Sequence, residues 1–270
     1  MVIAESPYTA YDALDLIEVD YDPLGVTVDA EEATREGAPQ LHENAPNNLI
    51  FHWTCGNEQG AAQAIDAAEV VVKQRVRNQR LIATPMETRG YVAQYSPATG
   101  EYTEWMSHQA PHVMRLLLTA FVLGIPENKM RCIAPDVGGG FGAKFGAGNT
   151  GVLATHLSRK ANAPVRLMLD RKEEHLSAGN RPSSHQRLRI GAKRDGTLTA
   201  IHLVNYGTAG VGTGAGAGGP AQNMYACANV LTEEADVFTN AGPAAAFRAP
   251  GHPQGCFALE QVVDELAELL

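Results

Sequence analysis

The run Pro135-Asp136-Val137-Gly138-Gly139-Gly140-Phe141-Gly142-Ala143-Lys144-Phe145-Gly146 is where this sequence is best equipped for chemistry. Glycines at 138, 139, 140 and 142 strip the side chains from a short stretch of backbone. Positive φ becomes accessible there, and bare N–H groups can approach a ligand closely. An apolar, strand-like segment, Met130 to Ala134, leads into the run, and a helical pattern over about 149–160 follows it. Strand, glycine loop and helix N-terminus in succession make an anion site, because unpaired N–H groups and the helix dipole point the same way. The expected guest is a phosphate or a cofactor oxygen. The plainer reading is a tight strand-to-helix connection, but Phe141, a large apolar residue among the glycines, has no use in a loop built only for turning. Neither common nucleotide pattern fits. Lys144 is followed by Phe145 where a P-loop has Ser or Thr, and the first acidic residue suited to a ribose, Asp170, lies beyond the usual distance.

Three further segments carry candidate groups. Ala246 to Gly255 holds one arginine, Arg248, in a loop with Pro250, Gly251 and Pro253. A planar, permanently charged donor on stiff backbone suits an oxyanion or carbonyl oxygen; the plainer alternative is a turn with a surface ion pair. Trp105 to Pro111 brings Gln109 to the start of a helix, where its amide can donate to a ligand. The plainer alternative has Ser107 or His108 capping that helix. Met86 to Gly90 reads as an ion pair, Glu87 with Arg89, at the start of a strand. Gly-x-Ser-x-Gly and His-Glu-x-x-His are both missing. His108 and His112 stand at i,i+4, but Pro111 intervenes and no third ligand is evident, which argues against zinc. Cys256 reads as a packing residue at a helix start rather than a nucleophile.

These loops need elements to hold them. Residues 7–22 read as a short helix running into a strand over 17–21, with Val26 and Val28 suggesting another strand, and the polar stretch 30–48 reads as a linker, with a new unit from Leu49. Residues 61–68 are helical and 70–76 strand-like. Residues 90–95 and 102–106 flank Ser96-Pro97-Ala98-Thr99-Gly100, a hairpin signature. Pro111 to Leu123 is the clearest helix, opened by Pro111 and closed by Gly124 and Pro126. Strands follow over 165–169, 188–190, 198–204 and 230–238, and a second clear helix over 257–270. Helices and strands alternate without strict βαβ regularity, so the expected class is α+β, mixed sheets with packed helices.

Composition sets the bounds. The chain has 270 residues, 44% apolar and 19% charged, enough for one large or two modest domains. Its net charge of −9 and lack of a basic patch with interleaved aromatics argue against a nucleic-acid partner. No apolar run suits a membrane span and the N-terminus does not read as a signal peptide; a cytoplasmic location is expected, with periplasmic export by carriage on a partner as the alternative. Cys55, Cys132, Cys227 and Cys256 are far apart, so structural zinc or an iron–sulfur cluster held by this chain alone is not expected. The glycine excess is concentrated in windows 138–151 and 207–219. Both ends read as the middle of elements, as in a piece of a longer polypeptide.

Taken together, "TPMETRG", "SHQAPHVMR", "PDVGGGFGAKFG" and "AFRAPGHPQGCFALEQVVDELA" resemble, in order and spacing, the molybdopterin-binding large subunit of the xanthine dehydrogenase, aldehyde oxidase and aerobic carbon monoxide dehydrogenase family. The resemblance covers essentially the whole chain. It implies residues 1–35 as the tail of an α/β hammerhead domain, 36–48 as a linker, and 49–270 as the first molybdopterin-binding domain, truncated at its C-terminus. It implies a molybdenum–molybdopterin cofactor in the pterin cytosine dinucleotide form, with [2Fe–2S] clusters and FAD on partner chains. The implied partners are an iron–sulfur small subunit, an FAD-binding medium subunit, the rest of the large subunit and a small-molecule substrate. Members hydroxylate carbon with oxygen from water. Residue by residue, Gln109 matches the glutamine that hydrogen-bonds the molybdenum oxo group. Gly139, Gly140, Phe141 and Gly142 fall in the cofactor loop, and Arg248 matches the arginine of the second cofactor loop. Departures bear on substrate. Carbon monoxide dehydrogenases carry a copper-binding cysteine after that arginine, and here Ala249-Pro250-Gly251 stands. Phe145 replaces a glutamate of xanthine enzymes, no arginine stands near Gly216, and Pro250 replaces a purine-sandwiching aromatic. An aldehyde or N-heterocycle is the expected substrate. Alternatives are a xanthine or purine dehydrogenase, and a non-catalytic cofactor-binding or assembly module. The family's catalytic glutamate falls outside these residues, so the chain alone is expected to be inactive.

Overall fold

The computed structural model describes residues 2–270. Two mixed sheets carry the fold, each packed against helices. The first has five strands in the order β1 (Leu49–Gly56), β9 (Val230–Val237), β8 (Leu198–Thr208), β7 (Ser183–Ala192) and β2 (Val70–Asn78). Only β8 and β9 run parallel; the other neighbours are antiparallel. The second has the order β5 (Met130–Ile133), β4 (Glu101–Met106), β3 (Gly90–Ser96) and β6 (Val165–Met168), with β4 and β5 parallel. This is the mixed α+β architecture expected from the sequence.

One face of each sheet builds a core with the helices packed on it. On β2 and β7 the residues Val72, Leu188 and Ile190 point at α8 (His252–Leu269), which returns Ala258, Leu259, Val262 and Leu266 to form one core. On β3 and β4 the residues Tyr91, Ala93, Tyr102 and Met106 meet Met114 of α4 (Pro111–Leu116) and Ala154 of α5 (Gly148–Ala161) to form the other. The first core carries the Arg248 loop, between β9 and α8. The second carries the Gln109 loop, between β4 and α4, and the glycine loop, between β5 and α5.

Several expectations need correction. The helix expected over 111–123 is α-helical only to Leu116 and continues as a wider π-type turn over Leu117–Leu123, ending on Gly124 in the left-handed region. The first helix is Pro7–Leu14, and the strands expected over 17–21 and at Val26 and Val28 do not form. The alternation is present, but a strand needs a hydrogen-bonding neighbour, and Leu16, Val19, Tyr21 and Val26 stay exposed without one. The stretch read as a linker folds back on the five-stranded sheet. Ala30 and Ala33 of α2 (Ala30–Ala33) pack on Ala235 and Val237. Asn48 is buried, donates to the Ala33 and Pro39 carbonyls and accepts from the Leu41 amide, pinning the polar segment between. Strand β1, α6 (Arg171–Ser177) and α7 (Gly219–Asn223) were not foreseen.

Candidate functional site

The glycine loop, the Gln109 loop and the Arg248 loop converge. The Gly142 N–H donates to Gln109 Oε1 at 2.9 Å. The Arg248 N–H donates to the Phe141 carbonyl at 2.7 Å, so a loop from one sheet is tied to a loop from the other. The glycines are what allow this closeness. A Cβ on Gly140 would lie 2.5 Å from Gln109 Oε1, and one on Gly142 would lie 2.8 Å from the Ala246 carbonyl oxygen. Gly139 and Gly142 have φ of 101° and 103°, and Phe141 itself is held at 55°. A bulky residue in the left-handed region is strained, and such strain collects at ligand sites.

The front of this cradle is a set of donors. Among the described residues, the N–H groups of Gly140 and Phe141 and the guanidinium of Arg248 donate to no protein group. Gln109 uses its Oε1 on Gly142, which leaves Nε2 as a free donor. No described salt bridge involves Arg248, so the alternative of a surface ion pair fails. Phe141 and Phe247 stand 6.5 Å apart, and with Arg181, Arg248 and Pro253 they line a cleft of about 500 Å³. Unpaired donors on touching loops, with an apolar wall at Phe141 and Phe247, can bind an oxygen-rich, anionic group and an apolar body beside it.

Behind the cradle lies a polar anchor that the sequence reading did not assemble. Lys144 is fully buried. Its ammonium donates to the Glu87 carbonyl at 2.8 Å, to Ser107 Oγ at 2.6 Å and to Glu87 Oε2 at 3.1 Å. Partial burial pushes the Glu87 carboxyl up, but hydrogen bonds from Ser107 and the Gly138 N–H and the Lys144 charge outweigh it and hold the group below the usual carboxylate range. The ion pair expected between Glu87 and Arg89 is therefore not formed. Glu87 pairs with Lys144, and Arg89 pairs with Glu174 at 3.3 Å and donates to the carbonyls of Ala143 and Ala178. Nor do Ser107 and His108 cap α4 from an N-cap position, which belongs to Ala110. Buried His108 sits beside Gly146 O at 3.1 Å through Nε2 and accepts the Ala110 N–H at Nδ1, which fixes the neutral Nε2–H tautomer. Burial lowers its pKa in the same sense.

Arg181 does for the second loop what Lys144 does for the first. It is buried, its guanidinium lies 4.6 Å from the Phe247 ring centroid, and it donates to the Arg248 carbonyl and to Gln254 Oε1. The 207–219 glycine window, left without a role by the sequence, forms the adjoining wall. Glu234 accepts the Ala217 N–H and Asp236 the Gly214 N–H, each at 2.6 Å. A Cβ on Gly251 would lie 2.6 Å from the Gly216 carbonyl oxygen, so the window and the Arg248 loop are in contact. Among the described residues no group of three His, Cys, Asp or Glu side chains is placed to hold a metal directly, and no helix is long and apolar enough to cross a membrane.

Known proteins are similar to this chain in sequence and fold. A model of the molybdopterin cofactor-binding domain matches residues 41–270. The carbon monoxide dehydrogenase large chain of Afipia carboxidovorans is 36% identical over 74% of this chain and 26% of its own length. The nicotine 6-hydroxylase large subunit of Paenarthrobacter nicotinovorans is 30% identical over 99% of this chain and 34% of its own. The structure of quinoline 2-oxidoreductase from Pseudomonas putida 86 superposes with a TM-score of 0.88 at 29% identity, over 99% of this chain and 35% of that one. The chain thus spans about a third of the length of such relatives. Since the matched residues include every loop of the cradle, this chain belongs to the molybdopterin cofactor-binding domain family, the family of molybdenum hydroxylase large subunits.

Proposed function

We propose that this chain supplies the first half of the cofactor cradle in the catalytic subunit of a molybdenum hydroxylase acting on an aldehyde or N-heterocycle, with water as the oxygen source. The observation that carries this reading is the set of unpaired donors, Gly140 N–H, Phe141 N–H, Gln109 Nε2 and the Arg248 guanidinium, carried on three loops that touch. They fit a molybdenum–pterin group rich in oxygen acceptors. The backbone there is bare enough that a Cβ at Gly140 or Gly142 would fill the space the loops need to close. When bound, that group supplies the two-electron oxidation of a substrate carbon. The chain's part is to hold it: Gln109 and the loop N–H groups by neutral hydrogen bonds, Arg248 by a fixed charge, and Phe141 and Phe247 by excluding water from the cleft they line.

The substrate class rests on what surrounds the cleft. Ala249-Pro250-Gly251 follows Arg248 without a thiol, and Cys256 lies on α8 with its Sγ directed at Met224. A copper-dependent carbon monoxide chemistry is not supported by that loop, whatever the similarity to carbon monoxide dehydrogenase large chains. Phe141 and Phe247 give the cleft an apolar lining, and Thr213, Gly214 and Pro250 line a smaller cavity of about 200 Å³ beside Arg181. These walls suit a neutral, largely apolar ring or an aldehyde. The cytosine dinucleotide form of the cofactor, and the iron–sulfur and FAD subunits that would take up the electrons, belong to the same proposal, as does a location in the cytoplasm or carriage to the periplasm on a partner.

The test is a molybdenum and pterin assay on the complex purified through this chain, with turnover measured on a panel of aldehydes and N-heterocycles. Stoichiometric molybdenum in the complex with little in the isolated chain is expected, and a complex devoid of molybdenum and pterin overturns the reading. Arg248→Lys keeps the charge and loses the planar fork. It should lower turnover per molybdenum by about 2–4 kcal/mol in transition-state terms, with Arg248→Ala lower still. Normal turnover per molybdenum in both would make Arg248 a turn residue.

A further inference from the structure

Lys144 is the only lysine among the fully buried side chains of the described residues, and it lies a few residues from the free donors of the glycine loop. A buried ammonium is costly unless every proton is paired, and here each has a partner: Glu87 O, Glu87 Oε2 and Ser107 Oγ. The partners come from different segments. Glu87 belongs to the strap before β3, and Ser107 to the loop after β4. The Ser107 hydroxyl donates to Glu87 Oε2 at 2.6 Å, which also accepts the Gly138 N–H at 2.8 Å, while the Glu87 N–H donates to Gly138 O at 3.1 Å. Both ends of the glycine loop, Gly138 and Lys144, are thereby fastened to one residue. The Lys144 carbonyl accepts the Gln109 N–H at 3.1 Å, so Lys144 also sets the start of the Gln109 side chain that Gly142 orients from the front.

We propose that Lys144, acting through Glu87 and Ser107, is the positioning residue that keeps the Gly140 and Phe141 N–H groups and the Gln109 amide aimed into one cradle. The proposal rests on the cofactor reading above only for what the cradle holds. Each hydrogen bond of Lys144 ends on a segment that carries or fastens a cradle donor: its ammonium on Glu87 and Ser107, its carbonyl on the Gln109 N–H. A packing role for the aliphatic stem alone would leave the ammonium free to reach water, whereas the whole side chain is sealed.

The test is amide hydrogen exchange on the full chain in the complex in which it is purified, for the wild type, Lys144→Met and Ser107→Ala. Lys144→Met keeps most of the volume and removes the donors. It should speed exchange over 107–110 and 138–146 at least tenfold and leave β7, β8 and α8 unchanged. Ser107→Ala removes one bridge and keeps the charge, so it should show the same local pattern at a few-fold. The molybdenum content of the Lys144→Met complex should fall at least fivefold, and the paramagnetic signal of its residual reduced molybdenum should shift. Uniform acceleration throughout the chain, or none, overturns the proposal, as does local acceleration with molybdenum content and signal unchanged. If Lys144→Met does not fold, the Ser107→Ala pattern decides by the same criteria. A wild-type complex without molybdenum defeats the cofactor reading instead, and the exchange pattern still decides whether Lys144 positions the loop.

Discussion

Gly142→Ala is expected to empty the cradle. At a φ of 103° an alanine is strained wherever it stands, at a cost on the order of 1–3 kcal/mol. Its Cβ would also sit 2.8 Å from the Ala246 carbonyl oxygen and 3.0 Å from the carbonyl carbon, which are backbone atoms and cannot turn aside. Relief requires the glycine loop and the Arg248 loop to separate. Separation breaks the Arg248 N–H to Phe141 O bond and takes the Gly142 N–H off Gln109, so both the charged and the amide donors lose their aim. The expected result is at least a tenfold loss of molybdenum per complex with a fall in melting temperature of roughly 5 °C. Gly146→Ala is the matched comparison, since a Cβ there meets nothing within 4 Å. It should leave both readouts near wild type. Wild-type molybdenum content in Gly142→Ala would mean that the loop contact has no part in holding the cofactor.

How much of this was legible in the sequence depended on whether a signal was local. The glycine run, Gln109 and Arg248 were readable because each stands in a loop of unusual composition, and the structure brings all three segments together. Pro111 marked the start of its helix, and the hairpin signature between β3 and β4 likewise gave those strands directly. Lys144 and Arg181 were not readable in their positions behind the loops. A lysine in sequence carries no mark of burial, and its partners Glu87 and Ser107 lie far off along the chain. The only hint is negative: Lys144 is followed by Phe145, so it is not a P-loop lysine. Helix α6 did carry a signal that went unused. Asp170 and Glu173 form a reciprocal capping box, Asp170 accepting the Glu173 N–H and Glu173 the Asp170 N–H, and this spacing is visible in the sequence.

The errors have physical causes too. Residues 16–28 alternate as a strand should, but alternation reports only which side chains could share a face. Pairing is decided elsewhere: Leu16 and Ile17 bond only back to the end of α1, and Thr27 exchanges hydrogen bonds with Asn240 without a strand partner. The polar stretch before β1 looked like a linker because Asn, Pro and Glu are loop residues on average. One buried asparagine, Asn48, supplies the hydrogen bonds that an apolar core would not, and the segment folds onto the sheet. The π-type turn after α4 is equally invisible in the pattern, since Leu117 to Leu123 continue an apolar helical run to a proper glycine stop.

Glu104 should make this chain lose stability as pH rises, which is the reverse of the usual carboxylate effect. It sits on β4 between Tyr102 and Met106, fully buried in the second core, and neither oxygen has a hydrogen-bond partner meeting full geometry among the described residues. Burial pushes its carboxyl up to about 8, with the Thr155 hydroxyl beside it drawing it only partly back. A carboxyl raised in the fold binds its proton more tightly there than in the unfolded chain. Its contribution is therefore fully present below the unfolded value of 4.5, and it is lost progressively as pH climbs from there toward 8. The slope is on the order of 1 kcal/mol per pH unit across that window. Cys132, paired in register with Glu104 on the adjacent strand, is itself pushed up to about 12, first by burial and then by the Glu104 charge, so it stays a neutral thiol throughout and adds nothing to the slope. Glu104→Gln keeps the shape and never ionises. Melting temperatures of the two proteins should converge near pH 5 and separate toward pH 8, with the variant the more stable. The difference between the two curves isolates Glu104 from every other titrating group, because those are common to both. Parallel curves between pH 5 and 8 would show that Glu104 is ionised in the fold at neutral pH, and that its charge has found a partner within the core.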